Sequence, residues 1–327
     1  MMKKIFGLVF MLVASASYAQ QDSQFTQYMY NTVNINPAYA GSRQSMSIFA
    51  LHRTQWVGLD GAPVTSTFSI NTPINQSSGR LKDCTTCPEE KTPSSSMGLG
   101  LTVINDRIGP SDENNIAIDF SYTIHTSETY KLSFGLKASA NLLDIDFRKL
   151  NQYDKNDYSF DTNIDSKFSP NIGVGFYLHS DNTYVGLSAP NLLETKHFDR
   201  YASTGANSHV AKENIHLYLI AGHVFDLSAD VKFKPSVLVK GVQGAPLQVD
   251  LSGNFLINDK FVTGVAYRWS AAVSAMVGFQ ASNSWFIGYG YDLEATKLSN
   301  YNSGSHEFFL RYELFNKYDR IISPRFF

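Results

Sequence analysis

The segment Tyr130 to Leu142, YKLSFGLKASANL, alternates without a break. Tyr130, Leu132, Phe134, Leu136, Ala138, Ala140 and Leu142 fall in one register, and Lys131, Ser133, Gly135, Lys137, Ser139 and Asn141 in the other. Period two is the mark of a β-strand whose faces meet different surroundings. The preceding segment repeats it, with Ile116, Ile118, Phe120, Tyr122 and Ile124 against Ala117, Asp119, Ser121, Thr123 and His125, and only a short HTSE turn lies between. The pair reads as a long β-hairpin. Similar segments follow at Ile172 to Leu178, Thr183 to Leu187, Ile215 to Phe225, Val231 to Val239, Leu247 to Ile257, Phe261 to Trp269, Val273 to Ala281, Trp285 to Leu293 and His306 to Leu314. Three less regular ones lie upstream, at Met46 to Trp56, Val64 to Ile70 and Leu99 to Ile104.

The set gives about fourteen strands, an even number within the range of outer-membrane barrels. Many are longer than the roughly five or six residues usual in soluble sheets, and tilted strands of about nine to eleven residues cross a hydrocarbon core. One face of these strands is apolar. The other carries Asp119, Lys131, Lys137, Lys232, Lys234, Lys240, Asp250, Arg268, Asp292, Glu307, Arg311 and Glu313. A charge facing lipid costs several kcal/mol, so these side chains are expected in the lumen. The fold class is therefore all-β: an antiparallel transmembrane β-barrel of about fourteen strands. The composition fits, with 18 Tyr and 23 Phe while charged residues stay at 17%.

The first residues point to export. Lys3 and Lys4 form a basic n-region, Ile5 to Ala14 an apolar stretch, and Ser17-Tyr18-Ala19 a small-x-small cleavage site. Residues 1–19 are read as a signal peptide, 20–44 as an N-terminal segment, 45–315 as the barrel and 316–327 as a periplasmic tail. The apolar stretch is too short to span a bilayer, and no later run reaches the roughly 18 apolar residues of a membrane helix. The net charge of -2 becomes -4 once Lys3 and Lys4 are removed, which gives no reason to expect nucleic acid as a partner. The expected location is the outer membrane of a Gram-negative bacterium, after signal-peptide cleavage.

Loop lengths set the topology. With both termini in the periplasm, tight connections around Ser127, Asp181, Ser228, Asn258 and Asn283 fall on that side, as the class requires. The long connections Asp144 to Ser169, Ala189 to Glu213 and Ala295 to Ser305 fall outside. Asn71 to Ser96 is long yet periplasmic by parity, so either it is an inserted loop or a strand is miscounted.

No catalytic or metal constellation emerges. The glycine pairs Gly98/Gly100, Gly173/Gly175 and Gly288/Gly290 lack the third glycine and helix of a dinucleotide loop, and on strands they read as sites of sharp curvature. Cys84 and Cys87 form the only CxxC. It could be a redox motif, half a zinc site or a small-loop disulfide; in an oxidising periplasm the disulfide is the better reading. Asp161, Asn163 and Asp165 begin a calcium-loop pattern that Ser166 and Ile172 then break. His216 and His223 point to opposite faces of one strand, and no GxSxG elbow exists. No cofactor is expected.

Three blocks carry a resemblance. QDSQFTQYMYNTVNINPAYAGSR, then RTQWVGLDGAPVTSTFSINTP, and finally GSHEFFLRYELF with the terminal SPRFF resemble the PorP/SprF family of type IX secretion system outer-membrane proteins, in order along the whole mature chain. The most specific pieces are Gln27-Tyr28-Met29 with Asn36-Pro37-Ala38-Tyr39-Ala40-Gly41, the block Gln55-Trp56-x-Gly58-Leu59-x-Gly61-Ala62-Pro63, and Ser323-Pro324-Arg325. The insertion bearing Cys84 and Cys87 departs from the family pattern. The resemblance implies a non-enzymatic barrel that works with the type IX machinery to export or retain surface clients, in some members gliding adhesins. Its implied partners are the secretion proteins, a secreted client and outer-membrane lipid. The alternative is a passive porin or a transporter of hydrophobic molecules.

The uncharged stretch Phe25 to Ser42, rich in Tyr, Asn and Met, can enter the barrel mouth or lumen without an uncompensated charge. Phe25, Gln27, Tyr28, Met29, Asn36, Pro37, Tyr39 and Gly41 are the candidate plug residues there. Trp56, Gly58, Pro63 and Pro324 are the further candidates for plug or partner contact.

Overall fold

A computed structural model describes residues 25–43, 45–74, 95–127, 129–149, 163–193, 196–201, 207–212, 214–243 and 245–314. The signal segment 1–19, Cys84, Cys87, Asp161 and the tail with Pro324 lie outside the described residues.

The strands are β1 (Met46–Thr54), β2 (Val64–Pro73), β3 (Ser95–Ile108), β4 (Ser111–His125), β5 (Lys131–Ile145), β6 (Ile164–His179), β7 (Thr183–Ala189), β8 (Lys196–Tyr201), β9 (Asn207–Lys212), β10 (His216–His223), β11 (Phe225–Asp226), β12 (Val231–Val242), β13 (Gln248–Ile257), β14 (Phe261–Arg268), β15 (Ala272–Gln280), β16 (Trp285–Glu294) and β17 (Ser305–Leu314). β8 and β9 pair only with each other. The rest form one closed antiparallel sheet in which β1 meets β17 and β10 meets β12. β11 is the short continuation of β10 past Val224, so the barrel has fourteen staves.

Each expected barrel strand is present. β3 and β4 outrun their expected lengths because Asn105, Asp106, Asp112, Glu113 and Asn114 continue the pairing with no apolar face at all. There Asn105 donates to Asp112 at 2.6 Å and to Asn114 at 2.9 Å. Alternation ends where one-sided contact with lipid ends, whereas backbone pairing does not need it. A further hairpin, β8–β9, lies inside the long β7–β10 connection, where the alternation marks no strand.

Connections between β4 and β5, β6 and β7, β11 and β12, β13 and β14, and β15 and β16 are short and lie at the end where β1 starts and β17 stops, the terminal end. β2 pairs directly with β3, so the long connection between them is an insertion at that end and no strand is missing. The opposite, far end carries the long connections, now bounded as 146–163, 190–215 and 295–304. Three far-end turns are tight too, including Gly109-Pro110 between β3 and β4.

The wall faces are as the alternation requires: Phe134 and Leu136 are exposed, while Asp119, Ser133 and Lys137 are buried. Lys131, on the inward register, sits half-buried at the rim. Exposed aliphatic side chains ring the barrel, and Trp285 packs on Tyr312 with ring centroids 4.5 Å apart near the terminal end. Tyr267 and Trp269 are exposed towards the far end. An apolar band with aromatic girdles is what a lipid-facing surface needs. No helix among the described residues is long and apolar enough to cross a membrane.

The hydrophobic core lies in the lumen. Phe49, Leu51, Tyr177, Ile220, Leu256, Met276, Phe286 and Phe309 point inwards and close around Phe25, Tyr28, Met29, Tyr30, Val33, Ile35 and Tyr39 of the N-terminal segment.

Candidate functional site

The N-terminal segment is threaded through the barrel. Its first described residues are held in the far-end third, where strand register brings Arg53 opposite Glu307 and sets Asp292 beside them on β16. Arg53 Nη1 lies 2.8 Å from Glu307 and Nη2 lies 2.7 Å from Asp292, with all three side chains at most 3% exposed. The backbone N–H groups of Thr26 and Gln27 donate to the two oxygens of Glu307, at 3.1 and 2.9 Å. The Thr26 hydroxyl donates to Asp292 at 2.6 Å and accepts from Arg53 at 2.9 Å. A neutral segment suits this place. It offers donors to a cluster with one more carboxylate than guanidinium, and it brings no charge that would have to be buried unpaired.

Next the chain crosses the lumen. Ser69 donates to the Asn31 side chain at 2.9 Å, Lys137 Nζ donates to the Asn34 carbonyl at 2.8 Å, and Ser188 donates to the Ile35 carbonyl at 2.9 Å. Lys137 also lies 3.5 Å from Asp119, whose charge it balances. Tyr30 packs on Phe309 and Phe286 at 4.5 and 5.3 Å between centroids, and Tyr39 meets Tyr177 edge-on at 5.5 Å.

The turn Asn36-Pro37-Ala38-Tyr39-Ala40-Gly41 then seats on the wall. Asn36 is fully buried and uses both ends of its amide: Oδ1 accepts from Ala38 N at 3.0 Å, capping the 3-10 turn Pro37–Tyr39, and Nδ2 donates to the Phe176 carbonyl at 2.9 Å. Proline at the first position of the turn gives up no needed donor. Ser121 donates to the Ala40 carbonyl, and Gly41 N donates to Asn71 at 2.6 Å. Gly41 has φ +66°, and a Cβ there would stand 2.5 Å from Gly98 Cα.

The wall beneath the turn is paved with glycine. A Cβ on Gly98 would collide with Ala40, one on Gly135 with Pro37 and Ala38, and one on Gly175 or Gly186 with the Asn36 side chain. The expectation that the glycine pairs serve curvature misses this role, since Gly98 makes room for the backbone of Ala40 and Gly175 for the side chain of Asn36 inside the barrel. The signal was available in part: these glycines share the register of buried Asp119 and Lys137, so inward placement followed from alternation. What lay above them did not.

The block 55–63 lies elsewhere. It forms the β1–β2 loop at the far end, with Trp56 at φ +46° and Gly58 at φ +103°. Trp56 Nε1 donates to Glu294 at 2.8 Å, while Val57 N donates to the Gly304 carbonyl and Ser303 N to the Val57 carbonyl. Gln55 N donates to the carbonyl of Pro63, closing the loop. Trp56, Gly58 and Pro63 thus brace the far rim, apart from the turn that holds Asn36 and Gly41. Sequence reasoning also missed Thr26, Arg43, Arg53, Asp292 and Glu307 as members of the plug site; no alternation rule says which inward charges become neighbours across strands.

A fourteen-stranded barrel with an apolar belt and a lumen filled by its own N-terminal segment defines a plugged outer-membrane barrel. The model of the family described as type IX secretion system membrane protein PorP/SprF matches residues 17–312. The chain belongs to that family and is a membrane component of type IX secretion, located in the outer membrane. No curated protein sequence matches it. Among solved structures it is similar to the CymD monoaromatic hydrocarbon channel (12% identity, 89% of this chain and 94% of that one, TM-score 0.49). It is also similar to the Ralstonia pickettii toluene transporter TbuX (10%, 86% and 92%, TM-score 0.49). A third is the Acinetobacter baumannii outer membrane protein Omp33 (8%, 83% and 98%, TM-score 0.45). At these identities the likeness extends no further than the fold.

Proposed function

We propose that this chain is a non-enzymatic accessory of type IX secretion that supports the export or surface attachment of one or a few client proteins. The observation that carries the reading is the filled lumen, together with family membership. A barrel whose interior is packed with its own aromatic side chains has its working surfaces at the two rims rather than along a conduit. With the terminal end in the periplasm, the turn at Gly41 and the mouth around Arg43 face the secretion machinery. The far-end connections 146–163 and 190–215 then offer surface to a client outside the cell.

Deleting the gene tests this. The expected result is loss of specific surface proteins from otherwise intact cells, with outer-membrane integrity unchanged. Failure of small-solute uptake while every type IX client still reached the surface would replace this reading with the transporter one. Purified protein in liposomes is expected to pass neither sugars nor aromatic hydrocarbons while residues 25–43 are in place.

A further inference from the structure

Buried charges gather at both ends of the lumen. At the far end three carboxylates, Asp250, Asp292 and Glu307, share the region with three cations, Arg53, Arg268 and Lys240. At the terminal end cations are in excess. Arg43 Nη2 and Arg311 Nε converge on one oxygen of Glu313, at 2.8 and 3.1 Å. Among the described residues no second carboxylate joins them.

Nη1 of Arg43 and Nη1 of Arg311 are both buried without a hydrogen-bond partner, and Arg311 as a residue is 5% exposed. Arg311 lies over the rings of Phe286 and Tyr30, at 4.9 and 5.8 Å. Aromatic faces attract the cation but leave its N–H edge unanswered. A buried guanidinium in excess is costly until an anion joins it, and paired guanidinium edges are suited to carboxylate and phosphate oxygens.

We propose that Arg43 and Arg311 form a binding site for an oxyanion, carboxylate or phosphate, at the terminal mouth of the lumen. Access runs past Arg43, whose side chain keeps 14% of its surface and which lies just before β1. The barrel wall separates the inward-facing Arg311 from bilayer headgroups, so the anion arrives through the mouth, as a free ion or as a carboxylate on a peptide. Arg43 ends the plug and Arg311 belongs to β17, so an occupant would tie the seated plug to the wall.

The test uses the full-length mature protein refolded in detergent, with Cys84 and Cys87 replaced by Ser and a Tyr28→Cys reporter labelled by a bulky thiol reagent. Inorganic phosphate, acetate, and an acidic hexapeptide with its uncharged amide counterpart are titrated at constant ionic strength against chloride. Labelling is expected to slow saturably with an oxyanion, to lose that dependence in Arg43→Gln, and to saturate at lower concentration in Glu313→Gln, where the positive excess is larger. Saturation by the acidic peptide at much lower concentration than acetate assigns the site to a protein carboxylate. Saturation by phosphate with the peptide no better than acetate assigns it to a free ion. No saturable effect of any probe on the parent protein, or an effect undiminished in Arg43→Gln, overturns the proposal. If Arg43→Gln unseats the plug, a Glu313→Gln variant with no stronger dependence than the parent overturns it equally.

Discussion

Replacing Gly135 by Ala should unseat the plug and spare the barrel. The new Cβ would stand 2.5 Å from Ala38 Cα and closer still to its nitrogen, whereas ordinary contact begins near 3.4 Å. The turn must therefore back away by about 1 Å, against atoms that are all backbone and cannot rotate aside. Overpacking of this kind costs about 1 to 3 kcal/mol. The retreat also strains the bonds from Asn36 to Phe176 and from Ser121 to Ala40, each worth about 0.5 to 1.5 kcal/mol. Together the seated state should lose roughly 2 to 5 kcal/mol, about one and a half to three and a half orders of magnitude in the population of the unseated state. In the strand itself Ala is no worse than Gly, so pairing of β5 with β4 and β6 should hold. The assay is the labelling rate of a cysteine at Tyr28 in a background free of Cys84 and Cys87, with the heat-dependent gel shift reporting the barrel. Gly241→Ala is the control, since its Cβ would meet nothing nearer than Leu247 at 3.7 Å. Unchanged labelling in Gly135→Ala, or equal acceleration in both variants, would refute the account of the glycine floor.

Leu136 is 61% exposed, and Leu136→Arg should cost about 2 to 4 kcal/mol near the membrane midplane while Leu136→Ala costs far less; urea unfolding in vesicles gives both numbers, and equal costs would mean the face is not in lipid. An Arg at the neighbouring inward position Ser133 should be costly as well, because Ser133 is fully buried and bonded to Thr123 at 2.7 Å. Glu307→Gln should loosen the plug by about 1.5 to 3 kcal/mol, because the Thr26 and Gln27 N–H groups lose a charged acceptor while Arg53 keeps Asp292, read as faster labelling of a Phe25→Cys reporter before any change in barrel unfolding. Gly41→Ala should raise labelling at Tyr28 as well, since its φ of +66° and its approach to Gly98 both forbid a side chain. Trp56→Phe removes the donor to Glu294 and should increase proteolysis of the 295–304 loop while leaving Tyr28 labelling as it was; faster labelling would show that rim and plug are coupled.

Much of the wall was legible in the sequence because lipid enforces a rule residue by residue. Phe134 and Leu136 must face out and Lys137 must face in, and a one-residue slip would reverse every assignment along β5. The rule weakens wherever lipid is absent. It did not give the polar ends of β3 and β4, and it gave inward charges without their partners. Arg53, Asp292 and Glu307 come from three strands, two of them more than 230 positions along the chain from Arg53, and only the closure of β1 on β17 makes them one cluster. The plug was legible as a composition, neutral and aromatic, but not as a path.

That path explains the composition better than solubility does. A barrel of fourteen strands encloses more space than its own inward side chains fill, and this chain packs a second layer into it. The filling must be apolar enough to pack on Phe49, Phe286 and Phe309, yet it must answer the hydrogen bonds of a wall that also carries Asp119, Lys137 and Glu307. Tyrosine, asparagine and backbone amides meet both demands, and a charged residue meets only the second. Charge appears only where the segment leaves the packed region, at Arg43, and there it creates a positive excess, because Glu313 already faces Arg311. The interior is thus a folded core with one electrostatic opening at the terminal mouth. Between that mouth and the far-end cluster at Glu307, Pro37 to Gly41 lie directly on Gly98, Gly135 and Gly175, with no room for a Cβ between them.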